Sequence, residues 1–338
     1  MKAFVVDKYK KKGELKLVDI PQPKPKDFEV LVEIKATAVN LLDSKVRDGE
    51  FKIFLPYKTP FVLGHDLAGV VKSVGARVSK FKVGDEVYSR PRDHHQGTYA
   101  EYIAVHEDDV SLKPKNIGMN EAASIPLVGL TAWQALVEMG KLKAGQKVFI
   151  QAGSGGVGTF AIQLAKHLGA YVATTTSAKN TALVKSLGAD EVIDYQTQDF
   201  EKILENYDLV LNSQDPKTYP ETLEKSLRIL KPGGYLISIT GPPDPAFAES
   251  VGLNFFLKLV MTLLSAKVRK ASKRLGKRYS FLFMRAEGKQ LAEIAKLIEA
   301  GKIKPVIDKV FPFNETKDAL AHVESGRATG KVVINIRN

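Results

Sequence analysis

Six consecutive residues, Gly153-Ser154-Gly155-Gly156-Val157-Gly158, have the types and spacing to receive a phosphate anion. They follow a short apolar run, Lys147-Val148-Phe149-Ile150-Gln151-Ala152, that reads as a buried parallel strand. They open a stretch of helical spacing, Phe160 to Leu168, that stops at Gly169. Strand, glycine turn and helix together make a dinucleotide fingerprint. In it Gly153 permits the tight turn, Gly155 lets the backbone approach a pyrophosphate, and Gly158 lets helix and strand pack closely. The free N–H groups at the helix start then face the anion.

The residues downstream select between nucleotides. An NAD site carries Asp or Glu about 20 residues past the fingerprint, on the ribose hydroxyls. Here the second strand ends Thr174-Thr175-Thr176-Ser177-Ala178-Lys179-Asn180, and no acid follows until Asp190. Ser177 can donate a hydrogen bond and Lys179 supplies the charge opposite to a 2′-phosphate, with Asn180 in the same turn. Tyr195, at the end of the third strand, can add its hydroxyl. The pattern predicts NADP(H) over NAD(H).

Near the reacting centre the candidates are Asn40, Lys45 and Tyr57. Asn40 offers an amide at the end of the strand Val32–Val39, and Tyr57 is a conceivable proton donor in a Pro-flanked loop. Zinc sites are built from Cys, His and carboxylates. The chain has no cysteine, and His94-His95 beside Asp93 reads as a solvated turn, so no metal is expected.

The elements that must position these groups fall into two textures. From Met1 to about Ser124 the chain alternates, as in Val30–Ile34 and Leu67–Val71, between Gly, Pro, Asp and Lys turns. From Glu121 to Met139 the spacing is helical, interrupted near Pro126. Strands are then expected at Val148–Ala152, Tyr171–Thr176, Glu191–Tyr195, Asp208–Asn212 and Tyr235–Thr240, alternating with helices that include Ala178–Leu187 and Glu221–Leu230. That is the order of a doubly wound α/β sheet, which binds ligands at its carboxyl edge. A helix at Glu287–Ala300, a strand at Val306–Phe311, a helix near Glu315–Glu324 and a strand at Lys331–Ile336 complete the chain. At 338 residues, two domains are expected. No apolar run is long enough to span a bilayer, and Met1–Asp7 is too short and charged for a signal peptide. The absence of cysteine fits a reducing cytoplasm. A net charge of +12 suits an acidic partner, a phosphorylated cofactor or a membrane surface.

With these marks in order the chain resembles the medium-chain dehydrogenase/reductase superfamily, and within it the zinc-free quinone oxidoreductase and enone reductase branch. Besides the fingerprint, the marks are Ala38–Asp43, Gly64-His65-Asp66-Leu67-Ala68-Gly69-Val70-Val71, Val83–Val87, Gly97–Tyr102, Leu187–Asp190 and Gly326–Val333. The resemblance implies a GroES-like, β-rich catalytic domain from both ends of the chain, residues 1–124 and 285–338. Between them it implies a Rossmann NADP-binding domain, 125–284, with a helical insertion at about 246–280 and the nicotinamide in the cleft between the two. It places Lys45, Tyr195, Gly241, Phe281, Phe283 and Arg327 along the cofactor. Zinc-dependent members use Cys and His ligands and a Gly-His-Glu motif; this chain has Asn40 at the place of the first cysteine and Asp66 after His65.

Without a metal to polarise an alcohol, ketone or alcohol dehydrogenation is disfavoured. A quinone or the C=C of an α,β-unsaturated carbonyl already has an electrophilic carbon, and hydrogen-bond donors can hold the charge that collects on its oxygen. The expected enzyme is therefore an NADPH-dependent reductase of small hydrophobic quinones or enones, homodimeric and cytoplasmic. The alternative is an NADPH-binding protein with a crystallin-like, RNA-associated or membrane-associated role. The stretch Phe255–Arg278 bears on that choice: an apolar run, then seven Lys/Arg between Lys267 and Arg278 with no acid. No aromatic interrupts the basic run, so nucleic-acid stacking is not expected. The preferred reading is a helical insertion that covers the active-site cleft or a subunit interface; a membrane contact is the lesser reading.

Overall fold

In the computed structural model, which describes residues 1–95, 97–215 and 217–336, both ends of the chain share one unit. It comprises Met1–Leu130 and the C-terminal stretch from Arg285, while Thr131–Met284 forms the second. The first unit begins with β1 (Lys2–Val6), β2 (Lys16–Asp19), β3 (Glu29–Val39), β4 (Phe61–Val62), β5 (Leu67–Val74), β6 (Glu86–Ser89), β7 (Tyr102–His106) and β8 (Val110–Leu112). β3 is its spine, with 11 residues buried along almost its whole length. It pairs with β5 along one edge, while β7 takes the first half of the other edge. Val30, Val32, Ile34, Leu67, Val71, Val87, Ile103 and Val105 close one core cluster. These are the inward positions of alternating strands, and their β-branched side chains suit a pleated surface.

Three helices interrupt this pattern: α1 (Leu41–Asp48), α2 (Met119–Ala123) and α3 (Pro126–Trp133). α3 has no polar face and runs straight into a π-helical turn, Gln134–Met139. The passage into the second unit lies inside α3, after Leu130, beyond the expected position at 124. An all-apolar helix gives no change of texture to mark such a point.

The second unit alternates β9 (Lys147–Ile150), α4 (Gly156–His167), β10 (Tyr171–Thr176), α5 (Thr181–Ser186), β11 (Glu191–Asp194), β12 (Tyr207–Asn212), α6 (Thr222–Arg228) and β13 (Leu230–Ser238). α7 (Pro245–Ser250), α8 (Phe255–Leu264) and α9 (Ala266–Arg274) lead to β14 (Arg278–Phe281). The sheet runs β11-β10-β9-β12-β13-β14, every pairing parallel. The order reverses between β9 and β12, the switch point at which such sheets bind ligands.

β14 corrects the sequence reading, which ended the sheet at Thr240 and ran the insertion to about 280. Lys277 and Arg278 hide a strand only four residues long, yet Tyr279 is buried and its hydroxyl donates to Pro242 O at 2.7 Å. β13 also stops at Ser238 rather than Thr240, because Ser238 Oγ accepts Gly241 N at 2.7 Å and turns the chain. In the apolar run of α8 only Met261 is buried; Phe255, Phe256, Leu259, Leu263 and Leu264 are exposed.

The chain then returns to the first unit through α10 (Gly288–Glu299), β15 (Ile307–Pro312), α11 (Thr316–Glu324) and β16 (Lys331–Asn335). β16 lies antiparallel against the second half of β3, in register Val332 to Val39. Its first residue fixes it chemically. The buried Lys331 ammonium donates to Asn40 Oδ1 at 2.5 Å, Asp66 Oδ2 at 3.2 Å and Val39 O at 3.2 Å. An ammonium and a carboxylate away from water tolerate one another only as a pair. Lys331→Met is therefore expected to cost about 3–5 kcal/mol of unfolding free energy by leaving Asp66 unpaired. Adding Asp66→Asn should recover a large part of it, and urea unfolding of both variants measures this.

Candidate functional site

The nucleotide-binding elements are built around the β9–α4 turn. Ala152, just ahead of the glycines, has φ +52°, a left-handed conformation rare for a residue with a Cβ. Its N–H is held by Thr175 Oγ1 at 3.1 Å, and Gly153 N donates to Thr175 O at 2.9 Å. The neighbouring strand thus imposes the strained turn, as is common at ligand sites.

The three fingerprint glycines differ in what demands them. A Cβ on Gly153 would lie 2.1 Å from Thr174 Oγ1, and one on Gly158 would lie 2.3 Å from Ala152 O. Those two positions are required by the protein's own packing. A Cβ on Gly155 would meet only Ala152 O, at 3.3 Å, so the space over this residue is open. Gly155 caps α4 without a side chain, and among the described residues the N–H groups of Gly156, Val157 and Gly158 have no partner. Open space, orphan donors and the positive end of a 12-residue helix make an anion cradle, which fits a pyrophosphate.

At the next strand end, Thr176 Oγ1 donates to Ser154 Oγ at 2.9 Å, so the glycine turn and the Ser177 turn are neighbours. Tyr195 N donates to Thr176 O at 3.3 Å, bringing Tyr195, half exposed, to the same corner. Ser177 and Asn180 are partly buried, Lys179 is exposed, and no acid pairs with Lys179 among the described residues. The nearest strand-end carboxylate, Asp194, sits opposite Thr176 in register, but its Oδ1 accepts Gln196 N at 3.1 Å. Lys179 thus supplies the corner with an exposed cation beside the Ser177 and Tyr195 hydroxyls, which suits a 2′-phosphate.

Under the carboxyl edge lies a polar network that sequence reasoning missed. Buried Gln151 donates to Thr222 Oγ1 at 3.0 Å and accepts from Asn212; Asn212 Oδ1 accepts Ser238 Oγ at 2.7 Å. One polar residue at each of three strand ends carries little signal, because what joins them is the adjacency of β9, β12 and β13. Gly241 lies just beyond, where a Cβ would press within 2.6 Å of Ser238 Oγ. Phe281 and Phe283 pack about Phe247, at ring-centroid distances of 5.2 Å and 5.8 Å. They thus have packing duties inside their own unit.

In the first unit the structure revises the expectation for Asn40. Its amide is buried rather than presented: Nδ2 donates to Asp66 Oδ2 at 2.9 Å while Oδ1 receives Lys331. Asp43 was not singled out, yet its fully buried carboxylate accepts Asn40 N at 2.7 Å and Tyr99 OH at 2.8 Å and binds His65 Nδ1 at 2.5 Å. Asp66 also accepts Leu127 N at 2.7 Å. The donor set does not fit zinc: the chain has no cysteine, Asp66 is paired with Lys331, and His65, oriented by Asp43 through Nδ1, would be a single ligand. Among the described residues no group of three His, Cys, Asp or Glu is arranged around a metal position. Lys45 lies half-buried on α1. Tyr57 stacks on Phe61 at 4.9 Å, its backbone held by Tyr9, and lines a small cavity with His65, Leu63, Arg92 and His95. Burial, with Asp93 nearby, pushes its hydroxyl up to about 12, so it stays protonated at neutral pH. Arg327 is exposed on the turn after α11.

A parallel Rossmann sheet with a phosphate cradle and a β-rich unit from both chain ends define a nicotinamide-dependent dehydrogenase or reductase. Two family models match the chain: Alcohol dehydrogenase GroES-like domain over residues 26–115, and Zinc-binding dehydrogenase over 187–334. The chain is 36% identical to NAD(P)H oxidoreductase RTN4IP1, mitochondrial, of Danio rerio, covering 99% of this chain and 91% of that one. It is 36% identical to the NADPH-dependent alkenal/one oxidoreductase, chloroplastic, of Arabidopsis thaliana, covering 99% and 79%. The structure of the quinone oxidoreductase from Coxiella burnetii superposes with a TM-score of 0.85 at 30% identity, over 100% of this chain and 99% of that one. The chain belongs to the medium-chain dehydrogenase/reductase superfamily, in its quinone and enone reductase branch.

The glycine geometry separates two variants of the fingerprint. Gly155→Asp should weaken NADPH binding at least about a hundredfold by like-charge repulsion while leaving thermal unfolding nearly unchanged. Gly158→Val should instead destabilise the fold by about 2 kcal/mol or more through its backbone clash. NADPH fluorescence titration and thermal unfolding of both variants decide it. Wild-type affinity in Gly155→Asp would reduce the fingerprint to a structural turn. For the cationic corner, Lys179→Ala should lower kcat/KM for NADPH about tenfold and leave NADH nearly untouched. Equal wild-type efficiency with both cofactors would overturn the assignment.

Proposed function

We propose that the protein reduces small hydrophobic quinones or the C=C of α,β-unsaturated carbonyls with NADPH and without a metal. The observation that carries this reading is the buried double pair in the first unit. Lys331 neutralises Asp66 and Asn40 is bound to both, so among the described residues His65 has no second and third ligand grouped with it to hold a metal that could polarise an alcohol. The names of its relatives, an alkenal/one oxidoreductase and a quinone oxidoreductase, support substrates that need no such polarisation.

When bound, NADPH supplies the hydride to the electrophilic carbon of the conjugated system. The α4 N-terminus and Gly155 hold the pyrophosphate; Ser177, Lys179, Asn180 and Tyr195 hold the 2′-phosphate. Lys45, Gly241, Phe281, Phe283 and Arg327 complete the cofactor contacts in this reading. The Tyr57 hydroxyl, protonated across the neutral range, serves as hydrogen-bond donor to the oxygen on which charge collects. The paired Asn40–Asp66–Lys331 cluster holds the end of β3 in place beneath α1, and water supplies the proton. Residues 1–124 with 285–338 act as the catalytic domain and 125–284 as the cofactor domain. A homodimer joined along the free edge of β14 belongs to the same reading, as does a cytoplasmic location, which suits a chain without cysteine.

The test is NADPH oxidation followed by absorbance with a panel of quinones and 2-alkenals, with light scattering for the assembly. Turnover of at least one class, unaffected by EDTA, is expected. Tight NADPH binding with no turnover of any of them would instead leave a binding protein.

A further inference from the structure

We propose that α8 and α9 form a docking surface for an anionic lipid bilayer. The two helices are nearly one. Ser265 joins them in a helical conformation, with φ −88° and ψ −1°, and the bonds Ser265 N to Met261 O and Arg269 N to Ser265 O, both 3.0 Å, carry the helical pattern across. The buried positions run through the joint as one stripe: Met261, Ser265, Val268 and Ser272. Their spacing of four, three and four residues keeps them on one side. The opposite side is exposed along its whole length and changes character at Ser265. On α8 it is apolar, with Phe255 83%, Phe256 69% and Leu263 68% exposed, beside Leu259 and Leu264. On α9 it is basic, with Lys267, Arg269, Lys270, Lys273 and Arg274.

This surface is unbalanced in charge. The stretch 255–278 holds eight Lys/Arg and no Asp or Glu, against a net charge of +12 for the chain. Lys258 meets Glu249 and Lys267 meets Glu224, which Arg274 also attracts, but Arg269, Lys270 and Lys273 have no acid partner among the described residues. Exposed rings with unpaired cations beside them on the same side are the two halves of an interfacial helix. Phe and Leu enter the acyl boundary while Lys and Arg stay at the anionic headgroups. A second copy presenting the same patch about a two-fold axis would bring no acid to these cations, since 255–278 holds none. A nucleic acid would satisfy α9 but leave the rings of α8 in water. Only a bilayer interface with negative headgroups suits both halves together. Among the described residues no helix is long and apolar enough to cross a membrane, so the contact proposed is peripheral.

Sedimentation of the full-length protein with vesicles of phosphatidylcholine, with and without phosphatidylserine, tests this. Binding to the serine-containing vesicles alone is expected, weakened by salt. Lys270→Glu with Arg274→Glu should weaken it about thirtyfold, and Phe255→Ser with Phe256→Ser at least about tenfold. NADPH affinity and thermal unfolding should be unchanged in both. No wild-type binding to serine-containing vesicles overturns the proposal, as does equal binding by the variants. A dimer that dissociates in Phe255→Ser/Phe256→Ser, without vesicle binding, would give the face to a second copy. Oligonucleotide binding lost in Lys270→Glu/Arg274→Glu, again without vesicle binding, would give it to nucleic acid.

Discussion

The second unit depends on the approach of the β9–α4 turn to its own backbone and to β10. Two glycines are fixed by that approach, because Thr174 Oγ1 and Ala152 O occupy the space a side chain would need. The consequence is a helix that starts directly at the sheet edge, with its first N–H groups uncovered. Ala152 carries the strain of this arrangement in a left-handed conformation, stabilised by the hydrogen bonds that its N–H and that of Gly153 donate to Thr175. The binding function is therefore a by-product of tight packing: the third glycine, Gly155, is left with open space above it that the fold does not fill.

The first unit solves a different problem, the burial of charge. Asp43 and Asp66 are both fully buried, and each is matched by donors from distant parts of the chain. Asp43 meets His65, Tyr99 and the Asn40 backbone; Asp66 meets Asn40, Lys331 and the Leu127 backbone. Such networks are stabilising only when complete. Completeness also commits Asp66 to Lys331, so one set of contacts bears on both the integrity of the unit and the kind of chemistry it can host.

The α8–α9 pair shows the opposite economy. Its buried stripe is narrow and partly made of serines, so little apolar area secures it to the unit. The larger apolar surface faces outward. Exposed apolar area is unfavourable in water by about 25 cal/mol per Å², and a patch of this kind with unpaired cations beside it marks an interaction surface rather than packing.

Much of the cofactor chemistry is local and therefore determined by sequence. A glycine turn between a strand and a helix, and a Ser177–Asn180 turn without an acid, are contiguous patterns whose physics does not need distant residues. The order of strands and the shared origin of the β-rich unit were likewise legible from alternation and from the resemblance. What escaped was non-local. β14 is short and flanked by cations, and only its pairing with β13 makes it a strand. Asn40 looks the same in sequence whether its amide is free or bound; Lys331, nearly 300 positions away, decides. The direction of the α8 face was equally hidden, because an apolar helix carries no record of which side the fold covers. Sequence determined the groups assigned here by proposal to phosphate, since that assignment uses neighbouring backbone. Tertiary structure decided which charges are paired and which apolar faces stay open, since pairing and burial depend on contacts between residues far apart in the chain.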